Sequence, residues 1–317
     1  MTVATLADPV LLYLEHLKIE NAFAQFSTPI MRSSIGDLSA YAKGAGRDVR
    51  VVITADGAPM EEAVWDLPNL GLIACLGAGY DGIDVDRARA QGVQVTTGRG
   101  VNDEDVADMA IGLLLATVRQ IPRGDRLIRA GGWKKQPELA MSRSVSLMRC
   151  GIVGLGAIGS AIGRRLTGFG SPIAWWGPRA KPDAPWPQAK SLLSLAQDSD
   201  ILIVAAPASE ETEGLISAEI LDALGPQGYL VNISRGSLVD QQALIAALRS
   251  GAIAGAGLDV FQDEPDDGAR WRDLEQVALT PHIGAWAERG IAEAKRMCAL
   301  NVEAFLSGEP LYTPLFR

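Results

Sequence analysis

The stretch CGIVGLGAIGSAIGRRL, residues 150–166, decides the fold of this chain. It joins a short apolar run to a helical pattern through Gly154, Gly156 and Gly159, in the spacing GxGxxG. In that spacing the first glycine allows a tight turn, the second lets a pyrophosphate approach the backbone, and the third lets the helix pack on the strand. The phosphates then lie at the positive end of the helix. We therefore predict a strand–turn–helix unit that binds a dinucleotide; the alternative is a glycine turn that holds no ligand.

The rest of the chain repeats this alternation of short apolar runs with helical patterns. The runs before residue 100 are VRVVITADG, GLIACLGAG and VQVTTG, and those after residue 147 include PIAWWG, ILIVAAP, YLVNIS and AGLDVF. Continuous apolar strands are typical of parallel sheets that are covered on both faces. The repeated order of strand, helix and strand predicts an α/β fold with doubly wound parallel sheets.

Length and composition indicate a globular protein with one large domain or two ordinary ones. The chain has 317 residues, of which 48% are hydrophobic and 21% charged. Its net charge of −9 argues against nucleic acid or an anionic membrane as the main partner. The N-terminus lacks a signal-peptide pattern, and no apolar run approaches the ~20 residues of a membrane span. We therefore predict a soluble cytoplasmic protein with no metal site. The three cysteines are widely spaced and form no CxxC pair, so we interpret them as small buried hydrophobic residues in a reducing compartment.

The stretch IAWWGPRAK, residues 173–181, bears on which dinucleotide is bound. A carboxylate for the ribose 2′-hydroxyl of NAD is expected about 20 residues after the glycine turn, but this stretch contains no Asp or Glu. A carboxylate would repel the 2′-phosphate of NADP, whereas Arg179, and after it Lys181, can pair with that phosphate while Gly177 leaves room for it. We predict NADP(H) as the cofactor; the alternative is that both cations only solubilise a surface loop.

Three polar residues follow other strand-like runs: Arg235 after YLVNIS, Glu264 after AGLDVF, and His282 in LTPHIGAW. Ligands of open α/β sheets collect at the carboxyl ends of the strands, so these side chains can converge on one crevice. An arginine binds a carboxylate bidentately, and a histidine with a neighbouring carboxylate can act as a general acid. The set predicts proton transfer to a carbonyl oxygen during hydride reduction. The alternative is a structural histidine, which is also our interpretation of His16.

With these motifs the sequence resembles the D-2-hydroxyacid dehydrogenase family over nearly the whole chain. The resemblance rests on CLGAGYDGIDVDRARAQGVQVTT, VADMAIGLLLATVR, GIVGLGAIGSAIGRR, VNISRGSLVDQQALIAAL, GAGLDVFQDEP and TPHIG. Within the family, the ending NVEAFLSGEPLYTPL and the acid-free second strand are similar to NADPH-dependent glyoxylate/hydroxypyruvate reductases. The implied activity is reduction of a small 2-keto acid to a D-2-hydroxy acid, with glyoxylate and hydroxypyruvate as the first candidates.

The resemblance implies a role for each site residue. Arg235 would bind the substrate carboxylate and carbonyl oxygen, His282 would donate the proton, and Glu264 would pair with His282. Asp259 would hold the nicotinamide carboxamide, and the loop 76–79 would meet the substrate carboxylate through backbone N–H groups. That loop consists of Leu76, Gly77, Ala78 and Gly79. The other implied cofactor residues are Gly154, Leu155, Gly156, Ala157, Ile158, Gly159, Ala206 and Ile233.

The resemblance also implies two Rossmann-like domains with a cleft between them, and a homodimer. Residues 1–100 and 285–317 would form the substrate domain, and residues 101–284 would form the NADP-binding domain. A helix that is apolar around most of its circumference must be buried, so the helix that we predict after Asn102 would be covered either within the chain or by a second copy. The implied homodimer would supply that second copy. The apolar positions of the helix include Val106, Met109, Ala110, Ile111, Leu113, Leu114 and Leu115.

Other functions stay open at this point. A bulkier 2-keto acid, such as 2-ketogluconate or an aryl pyruvate, would use the same chemistry in a different pocket. A protein that senses a dinucleotide on the same fold would bind the cofactor without turnover. An S-adenosylmethionine methyltransferase also has glycine-rich turns, but it usually needs an acidic residue on the ribose hydroxyls, which is missing here.

Overall fold

The structure, a computed structural model, describes residues 10–13, 29–55, 60–134 and 139–316. The chain divides into two compact units. The first unit consists of Met1–Asn102 and Ala287–Arg317, and the second consists of Asp103–Trp286. His16 lies outside the described residues.

Strands and helices alternate along most of the chain, as the sequence pattern predicts. The strands are β1 Val10–Leu12, β2 Ile30–Met31, β3 Val51–Thr54, β4 Leu72–Cys75, β5 Gln94–Thr96, β6 Cys150–Val153, β7 Ile173–Trp176, β8 Ile201–Val204, β9 Tyr229–Asn232, β10 Gly255–Leu258 and β11 Val277–Leu279. The α-helices are α1 Leu38–Lys43, α2 Val85–Gln91, α3 Asp103–Val118, α4 Ile121–Arg129, α5 Ala157–Phe169, α6 Leu192–Gln197, α7 Ala218–Leu224, α8 Gln241–Ser250 and α9 Glu288–Ser307.

Within the described residues, five strands form the sheet of the first unit, in the order β2-β1-β3-β4-β5, and every pairing is parallel. Successive side chains of a strand alternate between the two faces of a sheet. In β3, Val51 and Ile53 pack with Val302 of α9 on one face. Val52 packs with Leu38 of α1 on the other face. Both faces are therefore covered, which explains why β3 begins with three consecutive apolar residues.

The sheet of the second unit has six strands in the part of the chain that is described, ordered β11-β10-β9-β8-β6-β7 and parallel throughout. β6 pairs with β7 on one side and with β8 on the other, so the strand order reverses there. At the carboxyl end of β6, Val153 lies opposite Trp176 and Val204. Such a switch point leaves a crevice beyond the strand ends, where ligands of open α/β sheets bind. The predicted α/β fold with parallel sheets is confirmed.

Helix α3 is buried along one face within the second unit. Its Leu113 belongs to the same apolar core as Ile152 of β6. Arg165 of α5 also forms ion pairs with α3, at 2.7 Å to Glu104 and 2.6 Å to Asp108. Because exposed ion pairs contribute only about 0–1 kcal/mol each, apolar burial supplies most of the attachment of α3 to the sheet.

Two further observations concern the described ranges as a whole. Within them, no helix combines the length and the apolar character that crossing a bilayer requires. The same ranges contain no group of three or more His, Cys, Asp or Glu side chains suited to a metal ion. The side chains of Cys75, Cys150 and Cys298 are buried.

Candidate active site

The glycine-rich turn lies between β6 and α5. Gly154 has a φ of 92°, which is in the left-handed region that favours glycine. A Cβ at Gly154 would lie 2.7 Å from the Cα of Ala206, and a Cβ at Gly159 would lie 2.1 Å from the carbonyl oxygen of Gly154. Both approaches involve backbone atoms, so neither position can carry a side chain unless the turn moves.

Gly156 differs from its neighbours because the space beside it is open. It is the N-cap of α5, no side chain caps the helix, and a Cβ there would meet no protein atom within 4 Å. The N–H groups of a first helical turn lack intrahelical partners and lie at the positive end of the helix dipole. An open space over a glycine at such a helix end fits a pyrophosphate. The residues present therefore fit a dinucleotide, held by the turn at Leu155 and by the first helical residues, Ala157 and Ile158.

The loop after β7 brings a cation to this turn. Nζ of Lys181 donates a hydrogen bond to the carbonyl oxygen of Leu155. Arg179 is exposed on the same loop, and its side chain has no partner among the described residues. Gly177 follows β7 directly, and its carbonyl oxygen accepts a hydrogen bond from Gln188 at 2.8 Å. The sequence ranks Arg179 first, but the cation in contact with the turn is Lys181.

Glu264 and His282 form a hydrogen-bonded pair beyond the ends of β10 and β11. Nδ1 of His282 lies 2.6 Å from Oε2 of Glu264. The N–H of Phe261 donates to the other carboxylate oxygen of Glu264 at 2.8 Å. Since Nδ1 is engaged, Nε2 is the ring nitrogen that can face a substrate. Arg235 follows β9, donates to the carbonyl oxygen of Ser234 at 2.7 Å, and acts electrostatically on both members of the pair.

The pair shifts both pKa values in the direction that favours the charged forms. The hydrogen bond to Glu264 raises the pKa of His282, although burial and the positive charge of Arg235 oppose this shift. Burial favours the neutral acid at Glu264, but the hydrogen bonds from His282 and from the Phe261 N–H outweigh it, so the pKa of Glu264 is lowered. The imidazolium–carboxylate form therefore persists over a wider pH range than the isolated groups would allow, which suits a ring that donates a proton.

The loop 76–79 belongs to the first unit and follows β4. Its first member, Leu76, was expected to offer an N–H group to an anion, but that N–H donates to the carbonyl oxygen of Thr54 at 2.9 Å. The expectation is therefore wrong for the Leu76 amide, because the parallel ladder of the sheet continues one residue beyond β4. Gly77 is held by the N–H of Gly98, which donates to its carbonyl oxygen at 2.6 Å. The amides of Gly77, Ala78 and Gly79 stay the candidate donors of this loop, and the role of the loop in substrate binding stays a prediction.

The second sheet brings most of the predicted site residues to one edge. They follow its strands or lie in the glycine turn: Gly154, Leu155, Gly156, Ala157, Ile158, Gly159, Gly177, Ala206, Ile233, Arg235, Asp259, Glu264 and His282. Asp259 is 2% exposed. Sequence reasoning missed Thr280, whose hydroxyl donates to Oδ1 of Asp259 at 2.6 Å. The available signal was a hydroxyl residue directly after a strand and two residues before the candidate catalytic histidine.

A family model agrees with this geometry. The model described as "D-isomer specific 2-hydroxyacid dehydrogenase, NAD binding domain" matches residues 111–284. That range contains the glycine-rich turn, Arg235, Glu264 and His282.

Individual proteins are similar over most of the chain. The glyoxylate/hydroxypyruvate reductase A of Arabidopsis thaliana is 40% identical over 265 residues, which are 84% of this chain and 84% of that protein. The hydroxyphenylpyruvate reductase of Plectranthus scutellarioides is 39% identical over 272 residues, 84% of this chain and 85% of that protein. The solved structure of the NADPH-dependent glyoxylate/hydroxypyruvate reductase from Sinorhizobium meliloti, in complex with NADP and malonate, is 34% identical with a TM-score of 0.89, and the match covers 97% of this chain and 96% of that one.

Replacing Gly156 with alanine is expected to weaken dinucleotide binding without destabilising the protein. The added methyl group meets no protein atom within 4 Å, but it occupies the space through which phosphates approach the backbone. Calorimetric titration with NADPH and thermal unfolding measure the two effects. Gly168→Ala is the matched control, since it is exposed on the same helix and also open; it should bind normally and gain about 0.5–1 kcal/mol of stability. Equal affinities in the two variants would contradict the assignment.

Replacing Glu264 with glutamine is expected to lower thermal stability most between the ordinary pKa values of the two groups, 4.5 and 6.5. The raised pKa of His282 contributes stability that is fully present below the unfolded value and is lost as pH rises through the folded value. The lowered pKa of Glu264 contributes stability that is present above its unfolded value and is lost as pH falls through the folded value. Thermal unfolding of both proteins at about pH 5.5 and 8.5 checks this. A difference in Tm that is the same at both pH values would count against the pair.

Proposed function

This chain belongs to the D-isomer specific 2-hydroxyacid dehydrogenase family, and from that premise we propose that it uses NADPH to reduce small 2-keto acids to D-2-hydroxy acids. Glyoxylate and hydroxypyruvate are the first candidate substrates, since similar proteins at 40% and 34% identity carry that name. The observation that carries the proposal is the 2.6 Å hydrogen bond between His282 and Glu264. It provides an oriented, readily protonated imidazole at the edge of the sheet where the glycine-rich turn also lies.

Each residue of the pair, together with Arg235, has a chemical task in this reaction. A bound nicotinamide supplies a hydride to the carbonyl carbon of the keto acid. His282 donates the Nε2 proton to the carbonyl oxygen. The C=O double bond becomes a single bond while one C–H and one O–H bond form, and the neutral ring later regains a proton from solvent. Glu264 holds Nδ1 and stabilises the imidazolium before transfer. Arg235 binds the carboxylate of the substrate with paired hydrogen bonds and polarises the carbonyl group.

The preference for NADPH rests on the loop after β7. The residues from 173 to 181 contain no carboxylate that would repel a 2′-phosphate, and Lys181 contacts the glycine-rich turn. The family model is named for NAD, while the Sinorhizobium meliloti structure contains NADP, so the family accommodates both cofactors. The local charge of this chain favours the phosphorylated form.

A bulkier 2-keto acid is the second candidate substrate. The similarity to a hydroxyphenylpyruvate reductase at 39% identity favours an aryl pyruvate specifically. Comparing kcat/KM for glyoxylate, hydroxypyruvate, hydroxyphenylpyruvate and 2-ketogluconate decides between the candidates. NADPH binding with no oxidation by any of these acids would instead favour a protein that senses the dinucleotide.

His282→Gln is expected to lower kcat by roughly 10²- to 10⁴-fold, because the proton donor is lost. NADPH affinity should stay close to that of the wild type, because the glycine-rich turn is unchanged. Steady-state kinetics with glyoxylate and hydroxypyruvate, together with a fluorescence titration of NADPH, measure both. Turnover near the wild-type rate in His282→Gln would refute the proposed mechanism.

Arg235→Lys should raise KM and lower kcat for the keto acid, because a lysine cannot form the paired hydrogen bonds of arginine.

Lys181→Met is expected to reduce the preference for NADPH over NADH more than Arg179→Met does. Nζ of Lys181 is held at the carbonyl oxygen of Leu155, whereas the Arg179 side chain has no partner among the described residues. The ratio of kcat/KM with the two cofactors is the measurement, and the two variants serve as controls for each other because both remove one positive charge from one loop. A larger effect in Arg179→Met would instead indicate that Arg179, which the sequence ranks first, is the residue that pairs with the 2′-phosphate.

We also propose that the protein is a homodimer, joined through the second unit. An open groove of about 340 Å³ lies between α3, α4 and β11, and its apolar lining includes Met109, Leu113 and Leu279. Every residue of α4 is described and none is buried, and its Ile121 and Ile128 are 56% and 59% exposed. Apolar residues concentrated beside such a groove are typical of a surface covered by a partner.

Ile128→Asp is expected to convert the dimer to a monomer, because the carboxylate would have to be buried at the contact. Light scattering after size-exclusion chromatography gives the mass directly. Leu147→Asp, in the same unit and 78% exposed, is the control. A monomeric wild type at micromolar concentration would contradict the proposal.

A further inference from the structure

The backbone of His282 adopts a conformation that most residues avoid. Its φ is 52°, in the left-handed region, and Gln120 is the other non-glycine residue with positive φ in the described ranges. A side chain with a Cβ is uncommon in this region, and such a conformation persists only when surrounding contacts specify it. The contacts that specify it here come from one buried side chain and from the main chain beside it.

That side chain is Asp259, whose carboxylate receives donors from both sides of His282. Oδ1 accepts the hydroxyl of Thr280 at 2.6 Å and the N–H of Ile283 at 2.9 Å. Oδ2 accepts the N–H of Gly284 at 2.8 Å. We call these three donors and the carboxylate the Asp259 clamp.

The main chain completes this arrangement. The N–H of His282 donates to the carbonyl oxygen of Asp259 at 2.8 Å, and the N–H of Thr280 donates to that of Leu258 at 2.9 Å. A Cβ at Gly284 would lie 2.8 Å from Oδ2 of Asp259, so this position has no room for a side chain. Residues 280 to 284 are therefore anchored along the end of β10 by backbone and carboxylate together.

We infer that the Asp259 clamp positions His282 for catalysis, and that Thr280 is the positioning residue that completes it. This inference rests on the proposed function, in which His282 is the proton donor. Thr280 acts through Asp259 and not through the substrate: the hydroxyl donates to Oδ1 of Asp259, and the nearest alternative acceptor is Sδ of Met109 at 3.8 Å. Without this donor, the left-handed backbone of His282 loses one of the contacts that specify it, and the ring loses its fixed orientation toward Glu264.

The charges around His282 give the clamp a measurable consequence. Glu264 and Asp259 favour the protonated ring, whereas Arg235 and burial disfavour it. The largest of these influences is the hydrogen bond to Glu264, which depends most steeply on ring orientation. Loosening the clamp therefore weakens the dominant favourable contact, and the pKa of His282 should fall towards its ordinary value.

The chain contains two histidines, so NMR can observe this titration directly. The imidazole signals of the full-length protein are titrated without substrate, and the spectrum of His282→Gln assigns the resonance of His282. In Thr280→Val, which keeps the side-chain shape but removes the hydroxyl, the titration midpoint of His282 should move to lower pH. Thr280→Ser should restore it. Thr117→Val is the matched control, because the Thr117 hydroxyl donates to the carbonyl oxygen of Ala256 on the same strand, β10, at 3.2 Å and takes no part in the clamp.

Kinetics provide the second measurement. Thr280→Val should lower kcat on the order of 10- to 100-fold, the effect of misplacing a catalytic group, with KM for the keto acid within about twofold of the wild type. The pH at which kcat falls on the alkaline side should move down with the NMR midpoint. Gly284→Ala, which presses on Oδ2 of Asp259 from the other side, provides an independent variant and should show the same shifts.

The possible failures can be distinguished. An unchanged His282 midpoint and unchanged kcat in both Thr280→Val and Gly284→Ala would overturn the clamp and leave the proposed function standing. Equal effects in Thr280→Val and Thr117→Val would also overturn it, because they would show a general response to losing a buried hydroxyl. Retained turnover in His282→Gln would overturn the proposed function, and the NMR titration would still decide whether the clamp holds the ring.

Discussion

Parallel pairing of the strands in the second sheet is the constraint on which the candidate site depends. Because β6, β8, β9, β10 and β11 run in one direction, the residues that follow them share one edge of the sheet. Arg235, Glu264 and His282 are far apart in sequence, but each comes after a strand of this sheet. The backbone ladder therefore brings them into the same neighbourhood, and side-chain hydrogen bonds fix the remaining geometry, as the 2.6 Å contact between His282 and Glu264 shows.

Charge differs between the two parts of that edge. At the glycine-rich turn, the N-terminus of α5 and Lys181 both favour an anion. Around His282, Glu264 favours the protonated ring, while burial and the charge of Arg235 oppose it. The hydrogen bond to Glu264 has the larger effect on the pKa of His282 because it is short and direct. The opposing influences are a partial desolvation and a longer-range repulsion. One edge can thus attract phosphates in one place and retain a proton in another.

Both places depend on left-handed backbone, but they stabilise it differently. Gly154, with a φ of 92°, has no Cβ and meets little steric resistance, so its conformation needs no further support. His282, with a φ of 52°, carries the side chain that the proposed chemistry requires and is held by surrounding hydrogen bonds instead. The buried carboxylate of Asp259 gathers those bonds from Thr280, Ile283 and Gly284. A position that needs both an unusual backbone and a functional side chain depends on its neighbours in a way that a glycine position does not.

The sequence by itself determined the α/β class, the glycine-rich turn and the three polar residues at strand ends, because these signals are local: spacing, apolar runs and the residues that follow them. Only the tertiary structure decided that Lys181 and not Arg179 contacts Leu155. It also decided that the N–H of Leu76 already donates a hydrogen bond to Thr54, and that the hydroxyl of Thr280 donates one to Asp259. Each of these depends on how a loop folds back, or on how far a ladder of hydrogen bonds extends. Such contacts join residues that are distant in sequence, and no spacing within one segment encodes them.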